Sequence, residues 1–193
     1  MSSTTHGCEC KTLNDRIENQ TDVSVAQCYQ CGKCSAGCPL AEEMDYPPSQ
    51  ILRMLQIGSP ALEDKVLRSM SIWLCLTCET CIARCPQEVD FPKVMDYLRG
   101  EALRRGIANP KAKDIIAFHK AFLDSIQTTG RLYEMGLIVD YKARTRHLLQ
   151  DILIAPWMFM AGKLHIFPEM IKGKKQMSKI FSGTLKKVKE EPR

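Results

Sequence analysis

The sequence predicts an all-α chain: a duplicated, cysteine-bearing helical scaffold followed by a helical C-terminal extension. Three observations predict it. No stretch of the 193 residues shows the apolar–polar alternation of a strand. The run CYQCGKCSAGCP (28–39) is matched in spacing by CLTCETCIARCP (75–86), and each copy leads into an Asp–aromatic–Pro step and a helical pattern. Beyond residue 110 the cysteines cease, while apolar residues keep helical spacing.

Residues 1–20 read as an N-terminal arm. Within it Thr12 and Asp15 resemble a capping box, and Leu13 and Ile17 share a helical face. The cysteine-bearing domain is placed at 21–108. After the first motif, Asp45-Tyr46-Pro47 offers an N-cap aspartate and a proline for the first turn. A helix from Pro48 to Ile57 is predicted, with Ile51, Leu52 and Leu55 on one face and Gly58 as its stop. Leu62, Val66 and Met70 predict one more helix, running into Ile72 and Trp73. Asp90-Phe91-Pro92 answers the first step and starts a helix from Pro92 to Arg105. Val94, Met95, Leu98 and Ala102 form its stripe. Arg104 and Arg105 suit its negative end, and Gly106 stops it.

The extension is placed at 109–193, opening on the cap-like pair Asn109-Pro110. Ile115, Ile116, His119, Phe122, Leu123 and Ile126 predict an amphipathic helix ending near Gly130. A second covers 131–145, and a third starts near His147. The tail, 172–193, carries eight Lys or Arg against two Glu. Its Met177, Ile180, Phe181, Leu185 and Val188 keep helical spacing despite Gly183. The apolar-faced helices either dock partner proteins or cover the preceding domain.

Hydrophobic residues make up 45% and charged residues 25%, which permits a buried core. A net charge of +5, with no zinc-finger, RNP or basic-zipper pattern, argues against a nucleic-acid partner. The start, MSSTTHGCECKTLNDR, lacks signal-peptide character. The most apolar window, ILIAPWMFMAG (152–162), contains Pro156 and is shorter than the roughly 20 residues of a membrane-spanning helix. A cytoplasmic location without a transmembrane segment is expected. Ten cysteines in that reducing compartment point to metal or redox chemistry more than to disulfides.

Both motifs read C-x2-C-x2-C-x3-C-P, the spacing that holds [4Fe–4S] clusters. In two-cluster ferredoxins the fourth cysteine ligates the other cluster. Applied to this chain, cluster 1 takes Cys28, Cys31, Cys34 and Cys85, and cluster 2 takes Cys75, Cys78, Cys81 and Cys38. Such crossing staples the two copies together, and with helices between the motifs it gives an α-helical ferredoxin. Zinc also takes four thiolates, yet the second i+3 step and the Cys-Pro ending are not zinc-ribbon spacing. With every iron bound by cysteine, the chain is a wire with no catalytic residue of its own. GxGxxG, Walker and Ser-His-Asp patterns are absent from the sequence.

Lys33 and Arg84, inside the motifs, either offset cluster charge or are solvated cations. Tyr29 and Trp73 read as shields or core. His6, Cys8 and Cys10 read as part of a loose terminus, and His119, His147 and His165 receive no catalytic role.

The stretches CYQCGKCSAGCPLAEEMDYPPSQILRMLQIG, WLCLTCETCIARCP and NPKAKDIIAFHKAFLDSIQTTGRLYEMGL resemble the C subunit of heterodisulfide reductase (HdrC-like), across roughly residues 12–170. The cysteine motifs are shared with many α-helical ferredoxins; AFHKAFLDS…GRLYEMGL is more restrictive. The resemblance implies two [4Fe–4S] clusters on the eight motif cysteines. It implies electron relay from an HdrA-like subunit, which bears flavin and clusters, to an HdrB-like catalytic subunit. The latter reduces the disulfide of coenzymes M and B, or a related substrate. A hydrogenase or formate dehydrogenase module, flavin-based bifurcation and methanogenesis belong to the same setting. Two alternatives stand beside it: an iron–sulfur subunit of a membrane quinone-linked oxidoreductase, and a protein whose clusters are structural or sensory.

Overall fold

The computed structural model describes residues 12–146, 155–162, 171 and 173–190, and every regular element among them is helical. The chain divides into two compact units, Met1–Ala112 and Lys113–Arg193.

Helix α1 (Leu13–Thr21) opens the described part of the first unit with a complete capping box. Asp15 N–H donates to Thr12 Oγ1 (3.2 Å), and Thr12 N–H donates to the Asp15 carboxylate (2.9 Å). This helix begins inside the expected N-terminal arm, yet Leu13 and Ile17 are wholly buried in the unit's core. A 3-10 turn (Val25–Gln27) precedes the first motif. Then come α2 (Lys33–Ala36), α3 (Pro48–Ile57), α4 (Pro60–Arg68), α5 (Ser71–Leu74), α6 (Thr80–Ala83) and α7 (Phe91–Arg104).

The core lies where the predicted stripes meet. Ile51 and Leu55 of α3, Val66 and Leu67 of α4, Ile72 of α5, and Val94, Met95, Leu98 and Ala102 of α7 have no solvent exposure. Burying one large aliphatic side chain contributes about 1.5–3 kcal/mol, and a helix cap about 1 kcal/mol. The stripes therefore decide how the helices pack, and the caps decide where they begin.

Three expectations about ends are corrected. Asp90 caps α7, accepting from Lys93 N–H at 3.2 Å, but Asp45 does not cap α3. Pro47 is extended and Pro48 starts the helix, so Asp45 lies too far upstream. Its carboxylate accepts from Met70 N–H (2.6 Å) and Tyr46 N–H donates to Ser71 Oγ (2.8 Å), fastening this segment to the start of α5. The helix expected through Met70 breaks into α4 and α5 at Ser69, whose backbone is extended and whose hydroxyl donates to Val66 O. Arg104 and Arg105 bind the buried Glu101 side chain, at 2.6 Å each, and Arg16 of α1 joins them at 3.1 Å.

The second unit contains α8 (Lys113–Thr129), α9 (Glu134–Thr145), α10 (Ala155–Met160) and α11 (Lys174–Glu190). Helix α8 packs on α9 and on α11. Phe118 meets Tyr141 edge-on, with ring centroids 6.0 Å apart, and Arg144 of α9 reaches Asp124 of α8 at 2.8 Å. Gly130, at φ 84°, ends α8 as expected. The stripe expected on α8 is only partly covered. Ile115, Ile116, Phe122 and Ile126 are half-buried and Leu123 and His119 exposed; the buried residues of α8 are Ala121 and Thr129, outside that stripe. Pro156 sits in the first turn of α10, where a missing N–H is tolerated. The helix start near His147, together with His165, His6, Cys8 and Cys10, lies outside the described residues. No helix among the described residues is long and apolar enough to cross a membrane.

Candidate iron–sulfur centre

Each motif folds as a bent loop followed by a four-residue helix. Around the second cysteine of each copy the backbone turns left-handed twice: Gln30 (φ 64°) and Gly32 (φ 77°) flank Cys31, and Thr77 (φ 51°) and Glu79 (φ 61°) flank Cys78. Only Gly32 adopts this conformation without steric cost. For a residue with a Cβ the cost is roughly 1–2 kcal/mol, and β-branched Thr77 is the least suited. Strain of this kind persists where the surroundings hold it, commonly at functional sites. Helices α2 and α6 begin directly after these bends, carry Cys34 and Cys81, and pack on each other.

The loops bring cysteines of the two copies together. Cys38 of the first motif lines one recess with Cys75, Cys78 and Cys81 of the second. Pro39, Leu40, Met44, Leu76, Phe91 and Pro92 supply its mainly apolar walls. On the other side, desolvation and then the thiols of Cys31, Cys85 and Cys28 raise the Tyr29 phenol above its ordinary pKa. Tyr29 thus feels Cys85 of the second motif as well as Cys28 and Cys31 of the first, and Cys85 lines a recess with Ser24 and Gln27, just before Cys28. The charge of Cys34 is felt at Cys81, which links the two groups.

Burial pushes the Cys34 and Cys75 thiols up, and pushes Cys81 up to about 11, with Cys75 adding to the effect. Cys78 is lowered, because the Thr80 side chain and then its backbone hydrogen-bond the sulfur. Half-buried thiols that raise one another's pKa favour positive charge among them, which is what iron supplies to thiolates. Hydrogen-bond donors to sulfur are already in place: Gln30 Nε2 to Cys28 Sγ and Val89 N–H to Cys85 Sγ, both at 3.4 Å. Cys78 Sγ donates to Thr80 Oγ1 at 3.4 Å, a hydroxyl that turns to donate once the sulfur is a thiolate. No three Cys, His, Asp or Glu side chains among the described residues are grouped to hold a single metal ion. A cubane needs no such convergence, because each thiolate meets its own iron. All eight motif cysteines are free thiols. The residues fit two thiolate-bound clusters.

Two side chains that sequence reasoning missed hold the loops. From α3, Gln56 Nε2 donates to Cys28 O (2.6 Å) and Val25 O (3.1 Å). From α7, Arg99 Nη2 donates to Cys75 O and Nε to Ile72 O, each at 2.5 Å. In each copy the clamp takes the carbonyl of the first cysteine and that of the residue three before it. No local pattern marks either residue. Each is the ninth residue of its helix as observed, a correspondence the sequence repeat hides, since the Asp–aromatic–Pro steps set Gln56 opposite Glu101. Of the flanking residues, Lys33 and Arg84 are exposed, Trp73 is buried, and Tyr29 is 57% exposed beside Cys31.

Residues 24–89 match the family model of the 4Fe-4S dicluster domain, which implies two [4Fe–4S] clusters. The chain is 32% identical over 108 residues to the C subunit of the H(2):CoB-CoM heterodisulfide,ferredoxin reductase of Methanothermobacter marburgensis, covering 56% of this chain and 57% of that one. It is 38% identical over 90 residues to the iron–sulfur C subunit of the CoB–CoM heterodisulfide reductase of Methanopyrus kandleri, covering 47% and 45%. With the C subunit of the Ferredoxin:CoB-CoM heterodisulfide reductase of Methanosarcina mazei it shares 28% over 127 residues, 63% of this chain and 76% of that one. The chain thus spans about half the length of the first two relatives. Residues 24–89 form a match to the 4Fe–4S dicluster domain, and about half of the chain is similar to heterodisulfide reductase C subunits.

Proposed function

We propose that the chain is the electron-transfer iron–sulfur subunit of a heterodisulfide reductase-type complex in the cytoplasm. Cys28, Cys31, Cys34 and Cys85 hold cluster 1, and Cys75, Cys78, Cys81 and Cys38 hold cluster 2. When bound, a [4Fe–4S] cluster takes up and releases single electrons. The observation that carries the reading is the recess in which Cys38 joins the three leading cysteines of the other motif.

The chain's own residues do the rest. Four thiolates per cluster leave no iron without a protein ligand, which suits relay and not substrate chemistry. Leu40, Met44 and Phe91 limit water at the second quartet. Gln30, Val89 and Thr80 direct hydrogen bonds at sulfur, which tunes potential. The donor is an HdrA-like flavin protein. The acceptor is an HdrB-like protein that reduces the coenzyme B–coenzyme M disulfide or a related substrate. The names of the relatives, C subunits of CoB–CoM heterodisulfide reductases, support the type of complex.

The test is anaerobic purification of the native complex. Expected are two clusters' worth of iron and sulfide per chain, a visible band bleached by dithionite, and partner proteins of those two kinds. Zinc with negligible iron overturns the reading. Retention on carbonate-washed membranes beside a quinone-linked partner replaces it with the membrane oxidoreductase.

A further inference from the structure

We infer that Arg99 makes the two clusters unequal: it sets a fixed positive charge beside the cluster on Cys75, where the duplicated scaffold sets the neutral Gln56 beside the cluster on Cys28. The inference rests on the two-cluster reading above and goes beyond it. Both side chains perform the same backbone task, gripping the carbonyl of the first cysteine and of the residue three before it. They differ by one charge. Holding the loop needs only N–H donors, which an amide supplies, so the guanidinium adds something the clamp itself does not require.

Reduction adds one negative charge to a cluster. A nearby cation stabilises that state and raises the potential, and the effect grows as water is excluded. The Arg99 side chain is only 16% exposed and is fixed by two carbonyls. Its carboxylate partner Asp96, at 2.8 Å, is 63% exposed and therefore largely screened. Lys33, within the first motif, and Arg53, which shares a recess with Cys28, are exposed and screened in the same way. Arg84 flanks Cys85 of one quartet and overlies Gly37, next to Cys38 of the other, so it does not favour either. Neutral hydrogen-bond partners reach sulfur in both quartets, Gln30 and Val89 on one and the Thr80 hydroxyl on the other. The full charge of Arg99 is the larger difference.

The consequence is a direction. One electron leaves the cluster held by Cys28, Cys31, Cys34 and Cys85, which is oxidised by one. It comes to rest on the cluster held by Cys75, Cys78, Cys81 and Cys38, which is reduced by one. Arg99 is a positioning residue for the loop and a tuning residue for the potential.

The experiment is an EPR-monitored redox titration of the anaerobically purified full-length chain, with iron and sulfide counted. Cys78→Ser marks which signal belongs to the second quartet. Arg99→Gln, which copies the neutral clamp, is expected to lower the marked potential alone and to shift the electron's distribution between clusters by about tenfold, equivalent to about 59 mV for a one-electron couple. Arg99→Lys, which keeps the charge, is expected to stay close to wild type. Unchanged potentials in a cluster-replete Arg99→Gln chain overturn the inference, as does an equal shift of both clusters or a shift of the same size in Arg99→Lys. If Arg99→Gln fails to retain its clusters, Gln56→Arg, which places the charged clamp on the first copy, decides: a rise confined to the unmarked cluster supports the inference, and unchanged potentials overturn it. A wild-type chain without iron instead sinks the two-cluster reading beneath it.

Discussion

The Arg84 guanidinium lies over Gly37, and a Cβ on Gly37 would overlap it. These two residues hold equivalent positions in the two motifs, each immediately before the fourth cysteine. One copy supplies the space and the other fills it, so the contact joins the copies beside Cys38 and Cys85. Gly37 has φ −102°, so its small size matters here and left-handed freedom does not. Arg84 is exposed and can swing aside. Gly37→Ala is therefore expected to cost less than about 1 kcal/mol and to keep both clusters. The check is the temperature at which the visible cluster band is lost, compared with wild type.

Crossed ligation makes a pairing prediction. Cys38→Ser should alter the same cluster signal as Cys81→Ser, although the two lie in different motifs. Cys85→Ser should alter the signal that Cys34→Ser alters. Mössbauer and EPR spectra of the four variants read this directly. If Cys38→Ser instead shared its spectrum with Cys34→Ser, each quartet would be closed within its own motif.

Gly32 offers a clean measure of loop strain. It has φ 77°, and a Cβ added to it would meet nothing within 4 Å. Gly32→Ala should cost roughly 1–2 kcal/mol through backbone conformation alone. Glu79 is its counterpart at φ 61°, and Glu79→Gly should give a small gain in stability. Anaerobic denaturant titration of the two variants should give shifts of opposite sign.

Glu101 ties α7 to α1. Burial by itself would raise its pKa, but hydrogen bonds and charge from Arg104 and Arg105 more than offset this and leave it below its ordinary value of about 4.5. A depressed folded pKa contributes stability above the unfolded value, and that stability is lost as pH falls through the folded value. Glu101→Gln should cost about 2 kcal/mol near neutrality, below the usual range for breaking a buried pair, because the arginines are about one-third exposed and can be solvated. The gap between variant and wild type should narrow below about pH 4.5. Unfolding curves at neutral and acidic pH test both statements.

Much of the first unit was legible because its signals are local. Helix α3 begins and ends where Pro48 and Gly58 place it, and α7 lies within one residue of expectation. The Thr12–Asp15 capping box needs only four residues of chain. What was misread depends on distant contacts. Asp45 and Asp90 occupy like positions in sequence, yet only Asp90 caps its helix, because α3 starts later, at Pro48, and the Asp45 carboxylate binds Met70 N–H instead. The αL residues Gln30, Thr77 and Glu79 carry no glycine or asparagine to announce them. On α8 the stripe was visible, but which side chains are covered depends on α9 and α11.

The sequence by itself determined the chemistry: eight cysteines in two identical spacings name the kind of cofactor, since ligand type and spacing are properties of the chain alone. Tertiary structure decided how the halves meet and how they differ. Cys38 reaches the opposite motif, and Gln56 and Arg99 take up the same task with different charge, only once α3 and α7 have packed. Such contacts span 24 residues or more along the chain, and it is core burial, not local propensity, that brings them together.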